Sequence, residues 1–175
     1  MQDVLYIGNL DARRDWGHAK DFVEAMWLIL QQDEPEDFVI ATGVTHKVRE
    51  FINMAFAEIG VSLRYEGKGV DEVAIISAID LNKYTDATGF VKSEALAMIQ
   101  QLEGMVVLKI DSRYFRPTEV DLLIGDASKA QEKLGWIPKY DLLALVKEMM
   151  ESDLKLFQKD LDMKKAGYKT LRQAE

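Results

Sequence analysis

Cysteine is absent from the 175-residue chain, proline occurs three times and histidine twice. Without thiols there can be no disulfide framework, no thiolate nucleophile and no Cys-bound zinc. His18 and His46 stand too far apart in sequence to suggest a metal site, so none is expected. The glycine-rich loops that cradle phosphates, G-x-G-x-x-G and G-x-x-x-x-G-K-[ST], are missing, as is any H-E-x-x-H pair. None of the six Tyr residues has a Lys four positions later, which removes a couple in which lysine lowers the phenol's pKa. No apolar run approaches the roughly 18 to 20 residues that span a bilayer, and no basic, apolar leader opens the chain. Basic residues are outnumbered 22 to 30 by acidic ones, a net charge of -8. A chain of that sign repels a phosphate backbone, so neither nucleic acid nor membrane is expected as a partner. Any anionic ligand must be held by a local cationic cluster, and a reducing, cytoplasmic location is expected.

What is present suits one compact domain. Hydrophobic residues make up 48% and charged residues 30%, with a mean hydropathy of -0.14, which allows a core and excludes disordered or fibrous chains. A short apolar run at 4–7 reads as a strand entering a loop, and so abrupt a start suggests a segment of something longer. The three- and four-residue spacing of Ala19, Phe22, Val23, Met26, Trp27 and Leu30 predicts a helix over 18–31 with this stripe inward and Asp15 as its cap. Beyond Pro35, residues 38–41 read as a buried strand. A second helix is predicted from Thr45, its N-cap, to Gly60, its stop. Strand, helix, strand and helix in that order predict an α/β fold. Further on, 73–79 reads as a strand, 92–102 as a helix and 105–110 as a strand delivering a polar loop. A short helix closed by Gly135 and a last helix ending near 158 follow, with Leu142, Leu145, Val146, Met149, Met150 and Leu154 inward. One domain is therefore expected over 1–160, with a loose tail over 161–175.

Four features carry possible chemistry. Arg13 and Arg14 precede a helix whose first amides also favour an anion, so a diphosphate could sit there; equally, one Arg could pair with Asp15 or Asp11 while Trp16 packs inward. Arg116 and Glu119, three residues apart, could present a cationic fork and an acceptor pair to one ligand, or could bridge each other. His18, on the opening turn of a helix, could be an acid-base group but has no visible catalytic partner, which favours a structural hydrogen bond. Trp27, Trp136 and the helically spaced methionines are expected in the core, and the acidic residues around Pro35 in a solvated turn.

The string Gly8-Asn9-Leu10-Asp11-Ala12-Arg13-Arg14-Asp15-Trp16-Gly17-His18-Ala19-Lys20-Asp21 closely resembles the GDP-mannose 4,6-dehydratases of the extended short-chain dehydrogenase/reductase superfamily. Pro35 to Gly43, Tyr114-Phe115-Arg116-Pro117-Thr118-Glu119-Val120 and Lys133-Leu134-Gly135-Trp136 resemble the same family in the same order, and only about 73–103, expected as a variable insertion, has no match. The resemblance implies an α/β, Rossmann-like fold and the C-terminal, substrate-binding portion of such an enzyme, without the glycine-rich cofactor half. It implies NADP as cofactor of the full-length family, with none expected on this chain alone, and GDP-mannose or GDP as partner. Catalytic residues are expected elsewhere. By motif position, Arg14 and Arg116 would clamp the diphosphate, Glu119 would accept from ribose or guanine, and Asn9 would be a weaker neighbour. The implied lyase reaction converts GDP-mannose to GDP-4-keto-6-deoxymannose with loss of water, on the way to GDP-fucose or other deoxyhexoses, in a homo-oligomer. A non-catalytic GDP-sugar-binding or assembly module, and a related GDP-sugar reductase or epimerase, are the competing expectations.

Overall fold

The computed structural model describes residues 4–116 and 124–168. Its strands are β1 (Leu5–Ile7), β2 (Arg13–Arg14), β3 (His46–Lys47), β4 (Val61–Glu66), β5 (Val73–Ile79) and β6 (Val106–Ile110). Its helices are α1 (Ala19–Leu30), α2 (Val48–Glu58), α3 (Leu81–Thr88), α4 (Lys92–Leu102), α5 (Ser128–Leu134) and α6 (Leu142–Lys165). Four strands form a mixed sheet in the order β1-β6-β5-β4, parallel between β1 and β6 and antiparallel elsewhere, while β2 and β3 pair as a separate two-residue ribbon. The α/β expectation is met, and among the described residues no helix is long and apolar enough to cross a membrane.

Two apolar clusters hold the sheet. Leu10, Ile52, Ala74, Leu108 and Ile110 pack with Val48 and Phe56 of α2, and Val61, Ile76, Tyr84, Ala95 and Ile99 join β4 and β5 to α3 and α4. Strand β5 is rich in β-branched residues and buries Ala74, Ile75 and Ile76 consecutively, the pattern of a strand covered on both faces. Of the stretch at 73–103, β5 lies inside the sheet between β6 and β4, and the rest forms α3 and α4. Helix α2 forms where predicted and stops at Gly60, whose φ of +75° suits glycine. Its N-cap is Lys47, however, not Thr45, which is buried and whose hydroxyl and carbonyl accept hydrogen bonds from Arg13.

A third cluster, Ala25, Ala130 and Trp136, joins α1 to α5. Here the expectations fail in an informative way. Helix α1 forms where predicted, but its buried residues are Asp21 and Ala25, while Val23, Met26, Trp27 and Leu30 are 60–79% exposed. The apolar stripe therefore faces outward, and Trp27 is not core. Residues 38–41 alternate half-buried and exposed up to buried Ala41, yet form no strand, because no neighbouring strand accepts their backbone groups among the described residues. Asp15 does not cap α1; His18 does, its ring accepting from the Lys20 amide. Helix α6, capped by Asp141, runs to Lys165 and so makes 161–165 helical rather than loose, and Met149 points outward. Its stop is Gly167 at φ +83°, which follows two lysines that suit a helix C-terminus.

Candidate functional site

The two arginine-bearing loops leave the same edge of the sheet. Leu5 pairs with Leu108 and Ile7 with Ile110 in a parallel register, so the loop after β1, with Asn9 and Arg14, and the loop after β6, with Arg116, start side by side at carboxyl ends. Ligands of open α/β sheets gather outside such ends. The Asp111 amide donates to the Ile7 carbonyl at 2.9 Å, tying the two exits together.

The first loop is fixed from below. Leu10 is buried, and its carbonyl and that of Ala12 accept the Arg49 and Val48 amides, which pins the loop to the start of α2. Asn9 spends its side-chain oxygen on the Asp11 amide at 2.9 Å. Arg13 and Arg14 diverge. Arg13 reaches Thr45 with two hydrogen bonds and is an anchor, whereas Arg14 is half-buried, donates to the Arg13 carbonyl at 2.8 Å and faces His46 across the β2–β3 ladder. Asp15 accepts from the Thr42 amide, the Thr42 hydroxyl and the Gly43 amide, which ties it to the 42–43 turn. Trp16 packs on Phe51 with ring centroids 5.2 Å apart.

The second loop is a tight turn. The Asp111 carbonyl accepts the Tyr114 and Phe115 amides, and its carboxylate takes a bidentate grip from Arg113 that holds the carboxyl below the ordinary range. Phe115 tucks against the sheet core, and Arg116 emerges exposed beside it. Glu119 lies outside the described residues.

Sequence reasoning passed over His46. Antiparallel β2 and β3 set it opposite Arg14, and its ring lies 3.3 Å from the Glu50 carboxylate. It also lines a cavity of about 250 Å³ with Trp16, Thr42 and Tyr140. A strand pairing of two residues leaves no hydrophobic pattern, so no local signal announced it. The larger groove, about 850 Å³ between α3 and α6, holds none of the candidate residues. His18 is buried against Tyr140 and 3.3 Å from Glu148, a structural role as expected. Among the described residues no group of three or more His, Asp or Glu could hold a metal ion.

Comparison with known proteins shows the family of the chain and its fold. A model of the GDP-mannose 4,6-dehydratase family matches residues 1–149. A GDP-mannose 4,6-dehydratase of Vibrio cholerae is 48% identical over 168 residues, 96% of this chain and 41% of that protein. Human GDP-mannose 4,6 dehydratase is 47% identical over 154 residues, 88% of this chain and 35% of its own length. The chain thus spans about two fifths of the length of the curated relatives it matches. Among solved structures, RMD from Pseudomonas aeruginosa in complex with NADPH superposes with a TM-score of 0.53 at 16% identity, covering 90% of this chain and 37% of that one. The UDP-glucose 4-epimerase of Bifidobacterium longum, in complex with NAD+ and UDP, gives 0.54 at 15% identity, over 90% and 36%. At such identities the likeness concerns the fold.

Proposed function

The chain belongs to the GDP-mannose 4,6-dehydratase family, and from that membership we propose that it is the portion of such an enzyme that holds the nucleotide end of a GDP-sugar. The observation that carries this reading is the shared exit of the two loops. Arg14 and Arg116, far apart in sequence, are delivered from adjacent parallel strand ends, where two guanidinium forks can take one diphosphate. Glu119 accepts from a ribose hydroxyl or the guanine edge, and the Asn9 amide group is left to donate at the rim. A protein of net charge -8 has no diffuse attraction for an anion, so the arginines must supply it.

The residues of this chain do not fit NADP. A phosphate-cradling glycine loop and a Tyr–Lys couple are both missing, so no hydride or proton step is assigned to them. The complete enzyme, a cytoplasmic homo-oligomer, converts GDP-mannose to GDP-4-keto-6-deoxymannose; this chain alone binds without turnover. The outward stripe of α1 and the unpaired 38–41 segment are the surfaces on which the catalytic portion of the family would seat.

Titration calorimetry with GDP tests the reading. Changing Arg14 or Arg116 to Ala should weaken binding by about 1.5 to 3 kcal/mol, the range for hydrogen bonds to charged groups, and added salt should weaken it further. Glu119→Ala should lower the preference for GDP over inorganic diphosphate. Equal GDP affinity in the wild type and all three variants, or formation of the 4-keto sugar by the chain with NADP alone, would reject the proposal.

A further inference from the structure

Gly8 is the first residue beyond β1, and its surroundings leave no room for a side chain. A Cβ built on it would stand 2.4 Å from the Tyr114 carbonyl oxygen and 3.0 Å from the Tyr114 carbonyl carbon. Both atoms are backbone, so no rotamer change relieves the contact, and Tyr114 would have to recede by more than half an ångström. Glycine has no marked conformation to explain here, since every described glycine with positive φ lies elsewhere. Its role is close approach of one backbone to another.

The contact joins the two arms of the candidate site. Gly8 leads directly into Asn9 and the Arg14 arm, while Tyr114 is two residues before Arg116. The Arg116 turn rests on three supports: the Asp111 amide on the Ile7 carbonyl, the Phe115 ring against the sheet core, and the Tyr114 backbone seated on Gly8. The first two fix where the turn begins and how it faces the core. The third sets how closely the turn's backbone approaches the Arg14 arm. We propose that Gly8 is a positioning residue that fixes the Arg116 loop against the Arg14 loop, so that both guanidinium groups can reach one diphosphate. This rests on the GDP-site reading above, and goes beyond it by assigning the spacing of the two arms to one residue that touches no ligand.

The test is a set of double-mutant cycles on the 175-residue chain, with GDP as ligand and calorimetry as readout. Gly8→Ala should weaken GDP binding roughly tenfold, comparable to the loss of one charged hydrogen bond. The same change should cost nothing further in an Arg116→Ala background, where the displaced group is already gone. In an Arg14→Ala background the tenfold loss should persist. Amide exchange at Tyr114 and Phe115 should accelerate in Gly8→Ala, while exchange in α5 stays unchanged. Unaltered GDP affinity in Gly8→Ala, or an equal loss in all backgrounds, would overturn the proposal while leaving the GDP site standing. Absence of GDP binding by the wild type, or a neutral Arg116→Ala, would defeat the site reading and the proposal with it. Should Gly8→Ala fail to fold, Tyr114→Gly, at an exposed side chain, loosens the backbone seated on Gly8 and takes its place in the cycles with the same expectations.

Discussion

The two regions of the molecule are held together by different means. Around the four-stranded sheet the apolar residues turn inward, and Leu108 sits completely buried on β6, between β1 and β5, in the cluster that includes Ile52 of α2. Around α1 the arrangement is reversed, for the apolar stripe faces out and the inward face carries an aspartate. Asp21 accepts from the Lys139 and Tyr140 amides, its carbonyl accepts from the Trp136 indole, and its second carboxylate oxygen is buried without a partner among the described residues. Hydrophobic periodicity shows which face of a helix is apolar; it does not say what covers that face. A stripe left outward beside an extended segment without a strand partner is, in the reading proposed above, the surface on which a further body would seat.

Core truncation should separate the regions most sharply. Leu108→Ala should cost about 2 to 5 kcal/mol in denaturant unfolding, because it opens a cavity in a packed interior. Trp27→Ala, removing a larger side chain, should change stability by less than about 0.5 kcal/mol while reducing self-association seen by light scattering. A large loss from Trp27→Ala would mean that the stripe is covered within the chain itself. Next in size is the polar staple. Asp21→Ala leaves two backbone amides at 139 and 140 without their acceptor, and should cost roughly 1 to 3 kcal/mol, with altered near-UV signal from Trp136 as the spectroscopic mark.

The smallest effect is electrostatic. Lys47 and then Arg49 hold the Asp11 carboxylate below its ordinary range. A depressed folded value gives stability that is present above the unfolded pKa near 4 and is lost as pH falls through the folded value. The pair is largely exposed, so Asp11→Asn should cost only about a few tenths of a kcal/mol at neutral pH. That difference should vanish in unfolding curves taken at progressively more acid pH.

Most helices and the central strands were legible because their periodicity is carried by residues that bury against near neighbours. Val73–Ile79 and Lys92–Leu102 have the predicted bounds, and Gly60 and Gly135 close their helices as expected. The failures share a cause, for each depends on a contact distant in sequence. Asp15 was read as a local cap but reaches Thr42, and Thr45 was read the same way but serves Arg13. Residues 38–41 have the composition of a strand and lack only the neighbour. Of the candidate site, the residue types were readable from motifs, whereas the juxtaposition of the two loops required the register of β1 on β6.

That register also orders events in time. Leu5 and Leu108 are partners across more than a hundred residues of chain, so β1 can dock only after a long loop has closed, and it does so through three residues on a sheet edge. Closure over such a separation is slow, and short local structure forms well before it. Helices α2 to α4 and the β4–β5 hairpin can assemble while β1 is still detached. In refolding kinetics, helical circular dichroism should therefore recover ahead of nucleotide binding, making ligand capture a reporter of the last step rather than of collapse.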